Sequence, residues 1–116
     1  MGYYTYYNLE VKGATQEQVK KITEWIAEKH LYGLYSSPYK LEDGTYQYEC
    51  LENMKWYDYE EDMTALSITM PNATFELHGD GEDEDDKWYM YFKNGESERC
   101  NVIMYYPEPK KIKWND

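Results

Sequence analysis

The sequence predicts an α+β domain in which two helices lie on one face of an antiparallel sheet. Three observations predict it. An alternating, tyrosine-rich run opens the chain, two amphipathic stripes are each headed by a capping box, and Asp-Gly and Asn-Gly dipeptides sit between short aromatic runs. At 116 residues the chain is about one domain long. Such a chain buries roughly two-thirds of its unfolded surface, enough for a core without metal or disulfide staples.

Residues 3–12 alternate and are rich in tyrosine, a strand signal that Gly13 breaks. Thr15 with Gln18 is a capping box, so a helix begins at Gln16. Val19, Ile22 and Ile26 form its buried stripe, and the helix is expected to end near Leu31 with Gly33 as the stop. Asp43-Gly44 joins a weak strand at residues 39–41 to a second at 45–51, where Tyr46, Tyr48 and Cys50 share a face. Asp58 with Glu61 is the second capping box, followed by Tyr59, Met63, Leu66 and Met70 at helical spacing and closed by Pro71. Residues 73–78 read as a strand with Phe75 and Leu77 inward. Residues 87–93 and 99–106 read as strands of a hairpin around Asn94-Gly95.

This order, β-α-β-β-α-β-β-β, begins as the split βαβ arrangement of ferredoxin-like domains and adds a C-terminal hairpin. The domain is expected over residues 1–107, with 108–116 as a basic tail. The start, Met1-Gly2-Tyr3-Tyr4-Thr5, lacks a basic region followed by an apolar run, and no apolar stretch nears the ~20 residues that span a bilayer. A cytoplasmic protein that does not bind membranes is the expectation.

Net charge is −11, and its distribution is uneven. From Glu42 to Asp86 there are fifteen acidic residues and one lysine, Lys55. Such a field repels nucleic acid phosphates and anionic membranes and attracts cationic surfaces. The run Asp80-Gly81-Glu82-Asp83-Glu84-Asp85-Asp86 fails as an EF-hand loop, because Asp85 and Tyr91 occupy the places of the obligatory Gly and Glu. It reads as a solvated loop, with a looser cation site or a docking surface for a basic partner as alternatives.

Cys50 and Cys100 lack C-x-x-C spacing, and His30 and His78 are far apart, so two free buried thiols are expected and no metal site. No nucleophile elbow, P-loop or Rossmann glycine pattern occurs, and Arg99 is the single arginine. Neither catalysis nor a cofactor is expected.

Fifteen tyrosines exceed the needs of a core. Alternation sets Tyr4 and Tyr6 opposite Tyr7, Leu9 and Val11. It sets Tyr89 and Tyr91 opposite Trp88, Met90 and Phe92, and Tyr105 opposite Met104 and Tyr106. Tyr4, Tyr6, Tyr89, Tyr91 and Tyr105 would then line a sheet face that the helices leave open. Tyrosine favours interfaces, since it offers large contact area at low rotamer entropy. The tail or a second copy covering that face is the competing expectation. An RNA-stacking sheet would look alike in its aromatics but opposes the charge.

Lys55-Trp56-Tyr57-Asp58, Glu60-Glu61-Asp62-Met63, Leu66-Ser67, Pro71, Phe75-Glu76-Leu77, Gly79-x-Gly81-Glu82, Trp88 and Tyr91-Phe92-Lys93-Asn94-Gly95 carry a resemblance. The chain resembles small, largely uncharacterised proteins of bacteriophages and prophages of Gram-positive hosts with ferredoxin-like folds. The resemblance implies an inhibitor of anti-CRISPR or anti-restriction type. Its partner would be a host protein with a basic surface, such as a defence nuclease. Glu60, Glu61, Asp62, Glu82, Asp83, Glu84, Asp85 and Asp86 would mimic phosphates, and the exposed tyrosines would anchor the contact. The alternative is a phage accessory protein that binds another protein, or itself as a homodimer, through the tyrosine face.

Overall fold

The computed structural model describes residues 4–81 and 86–101. Its elements are β1 (Tyr6–Lys12), α1 (Gln16–Glu28), β2 (Tyr39–Lys40), β3 (Tyr46–Tyr48), α2 (Tyr59–Thr69), β4 (Thr74–Asp80), β5 (Lys87–Lys93) and β6 (Glu96–Asn101). The strands make one six-stranded sheet, ordered β2-β3-β1-β4-β5-β6, with every neighbouring pair antiparallel.

The expected α+β class holds, two helices with one antiparallel sheet, and the β5-β6 hairpin extends that sheet beyond β4. Here β1 lies between β3 and β4 and runs antiparallel to both. Residues 31–35 run alongside residues 49–52, with Tyr35 N–H donating to the Glu49 carbonyl at 2.8 Å and Leu51 N–H to that of Gly33 at 2.7 Å. These two segments flank the β2-β3 hairpin, whose second strand pairs antiparallel with β1.

The capping box of α1 forms as expected. Thr15 Oγ1 accepts from Gln18 N–H at 3.1 Å, and Gln18 Oε1 accepts from Thr15 N–H at 3.0 Å. The helix stops at Glu28, before the expected end, because His30 takes the left-handed conformation at φ 59°. Gly33 permits close packing instead of stopping the helix. It is buried, and a side chain there would collide with the Glu52 carbonyl and Met54. Asp58 does precede α2, but its side chain caps nothing. Its backbone, at φ −97° and ψ 27°, lacks the extended geometry that aims an oxygen at the first-turn N–H groups.

Both hairpin signals form turns. Gly44 N–H donates to the Leu41 carbonyl and Leu41 N–H to that of Thr45, a three-residue loop with Gly44 left-handed. Asn94 and Gly95, at φ 49° and 85°, make a two-residue turn, and Lys93 pairs at once with Glu96. β6 therefore starts three residues earlier than expected. β3 is shorter than expected and ends at Tyr48, after which Cys50 keeps only an isolated bridge to Leu34. The expected continuation of the last strand to residue 106, and the tail 108–116, lie outside the described residues.

The core sits between the helices and one sheet face. Leu9, Tyr48, Leu77 and Met90 form one row across β1, β3, β4 and β5, and Val11, Tyr46, Phe75 and Phe92 the next. Val19, Ile22 and Ile26 of α1 and Met63 and Leu66 of α2 close over them. Two buried hydroxyls fix the layers. Tyr48 donates to the Val19 carbonyl at 3.1 Å. Ser67 donates to the Thr64 carbonyl and accepts from Gly95 N–H at 2.9 Å, which fastens α2 to the last turn. Among the described residues no helix is long and apolar enough to cross a membrane.

Candidate functional site

The acidic residues separate into unlike environments. Glu60 and Glu61 are exposed in the first turn of α2, where the helix dipole favours carboxylates. Asp62 points inward. Its Oδ2 accepts from Trp56 Nε1 at 2.8 Å, its Oδ1 faces Lys29 Nζ at 3.2 Å, and its side chain is only 18% exposed. An Asp engaged at both oxygens is a brace between α1, α2 and the Trp56 loop rather than a free phosphate mimic. Glu82, Asp83, Glu84 and Asp85 lie outside the described residues, and Asp86 is half-buried at the head of β5.

The sheet face opposite the helices holds a denser constellation. Strand register places Gln47, Glu10, Glu76, Tyr91 and Glu98 in one row across five strands. The adjacent row is Asn8, His78, Tyr89 and Cys100. Tyr89 and Tyr91 meet edge to face with centroids 5.7 Å apart, and His78 stacks on Tyr89 at 5.4 Å. His78 Nε2 stands 2.6 Å from Glu76 Oε2. The Tyr91 hydroxyl is held above the usual phenol range, first by lost hydration and then by Glu76, Tyr89, Cys100 and Glu98. No described helix packs on this face.

Of the expected aromatic set, the structure thus brings Tyr89 and Tyr91 together. Tyr6 is exposed opposite Asp80, in the row next to His78 and two strands from Tyr89. Tyr4 precedes β1, with Lys55 Nζ 5.1 Å from its ring centroid, away from the pair. Tyr105 lies outside the described residues. Sequence reasoning missed His78, Glu76, Glu10, Glu98 and Asn8. Alternation around Leu9, Val11, Phe75 and Leu77 already placed most of them outward. Only the register between β1, β4, β5 and β6 shows that they adjoin.

A second concentration of rings closes one end of the helix-covered side. Tyr7, Trp56, Tyr57, Tyr59 and Trp88 line a recess of about 190 Å³ together with Thr5, Asp86 and Arg99. Tyr59 stacks on Trp88 at 4.7 Å. The Arg99 guanidinium lies 4.9 Å from the Trp88 ring and donates to the Tyr59 hydroxyl at 2.9 Å. The site already holds a cation of its own, and its rings extend the core.

Cys50 and Cys100 are free and half-buried rather than buried. Three strands separate them, far beyond the roughly 7 Å between Cα atoms that a disulfide tolerates. Burial pushes the Cys50 thiol up. Among the described residues no group of three or more His, Cys, Asp or Glu side chains is arranged to hold a metal ion. No protein family, characterised protein or solved structure matches this chain.

Proposed function

We propose that the chain is a binding protein whose working surface is the sheet face opposite the helices, and that its partner is a protein presenting lysine and arginine. One observation carries the reading. Glu10, Glu76 and Glu98 share a single row with Tyr91, and Glu10 stands directly opposite Glu76. Like charges in register cost stability, so a fold under no other demand would place a lysine at one of them. Carboxylates beside flat phenol rings suit a guanidinium, which takes two hydrogen bonds in its plane and stacks on an aromatic face. The overall charge of −11 would speed encounter with such a surface.

A narrower form is inhibition of a host defence nuclease by phosphate mimicry in its nucleic-acid groove. Exposed Glu60 and Glu61 favour it, while the internal engagement of Asp62 takes one carboxylate away. Titration with an arginine-rich probe peptide, followed by amide chemical shifts, tests both. The sheet reading expects shifts along β1, β4 and β5, and an affinity that falls with salt and is lost in the Glu10→Lys, Tyr91→Ala double variant. Shifts confined to the start of α2 and to residues 82–86 would favour mimicry and defeat the sheet reading.

A further inference from the structure

α2 carries apolar side chains on its outward side as well as its inward one. Met63, Leu66 and Met70 are buried, whereas Ala65 and Ile68 point outward and Ile68 is 57% exposed. A helix packed on one side only is expected to be polar on the other. Two depressions flank that outward face and share Ala65. One, about 330 Å³, follows the crevice between α1 and α2 and is floored by Trp25, Leu66 and Met70. The other, about 600 Å³, is shallow and runs past Thr64 to Ile68. The rim is acidic: Glu24 and Glu28 stand on the α1 side and Glu60 and Glu61 on the α2 side, against Lys21 alone among the described lining residues.

From this geometry we infer that the helical face is a second docking surface, and that it takes an amphipathic helix with basic flanks from another protein. Two neighbouring helices with a crevice between them offer ridges and grooves that a third helix can fill. Ala65, at the centre, has a side chain short enough to let another backbone approach. Trp25 and Ile68, on either side of it, offer the apolar contacts that anchor such a helix. Four carboxylates around an apolar floor match lysines or arginines flanking a leucine stripe, and they repel an acidic helix. This surface lies on the other side of the sheet from the proposed cationic-protein site, so the two stand or fall separately.

The probe is a peptide of about four helical turns, with leucines at helical spacing and lysines flanking them, compared with a version in which glutamates replace the lysines. Amide shifts, affinity and melting temperature are measured on the whole chain and on the Ala65→Arg, Ile68→Glu double variant. The inference expects the lysine peptide to move the amides around Trp25, Ala65 and Ile68 and the glutamate peptide to leave them still. It expects the variant to lose affinity by about tenfold or more while its melting temperature stays within a few degrees. Absence of binding overturns it. So do shifts on β4 and β5 instead, or an unchanged affinity in the variant. If the double variant is unfolded, Ala65→Gln, which crowds the centre without adding charge, replaces it and must show the same loss.

Discussion

Glu10 and Glu76 face one another directly across β1 and β4 on the side of the sheet opposite the helices. Two carboxylates in register repel, so relieving one of them is expected to stabilise the protein. Glu10→Gln should raise stability by about 0.2–1 kcal/mol in urea unfolding. The same substitution should weaken the arginine-rich probe, the exchange of activity for stability that marks a working site. A variant that is less stable and binds equally well would remove the reason for assigning this row a function.

Asp62 predicts a contrast among neighbouring acids. Asp62→Ala leaves the Trp56 indole N–H without its acceptor in a part-buried site and should cost about 1–3 kcal/mol. Lys29, the other partner, is 43% exposed, and Lys29→Ala should cost less than about 1 kcal/mol. Glu60→Gln and Glu61→Gln should be close to neutral. Thermal unfolding of the four variants gives the ranking.

Gly79 lies under the indole of Trp88, and an added Cβ would overlap the ring. Gly79→Ala must displace Trp88 from its stack with Tyr59, at a cost of about 1–3 kcal/mol. Tryptophan fluorescence should shift with it. An unperturbed spectrum and melting temperature would mean that Trp88 is less tightly seated than the geometry requires.

Burial pushes Tyr7 and Tyr48 from the ordinary 10.0 up to about 12. In the folded protein both phenols keep their protons over a range where the unfolded chain loses them. Their contribution to stability is whole below pH 10 and disappears as pH climbs toward about 12. Melting temperatures measured across that window should fall, and the fall should be shallower in Tyr7→Phe. Phenolate absorbance should show a group of tyrosines that ionises only together with unfolding.

The elements themselves were legible because each has a local cause. The Thr15–Gln18 box, the Val19-Ile22-Ile26 stripe and the Asn94-Gly95 turn all act over a few residues. What the sequence hid is set by distant partners. The end of α1 depends on His30 adopting a left-handed conformation, which no local rule favours over the expected stop at Gly33. The pairing of residues 31–35 beside 49–52, around the β2-β3 hairpin, joins segments no local pattern links. In the candidate site the outward direction of Tyr89 and Tyr91 followed from alternation. Their company with His78, Glu76 and Glu10 required the register. Asp62 looked like one of three equivalent helix-start acids until Trp56, six residues away through a loop, proved to be its donor.

β1 occupies the middle of the sheet, between β3 and β4. This strand, which precedes every other strand described, therefore waits for Thr74–Asp80 before its second edge is satisfied. Contacts so far apart along the chain slow the search for the native state, and the nascent sheet shows an unfilled edge meanwhile. Excising β1 would leave a two-stranded piece and a three-stranded piece with nothing to join them. A cut at the Asp43-Gly44 turn, by contrast, would sever only a peripheral hairpin. Splitting the chain there, rather than next to β1, is the division after which two fragments could still find each other.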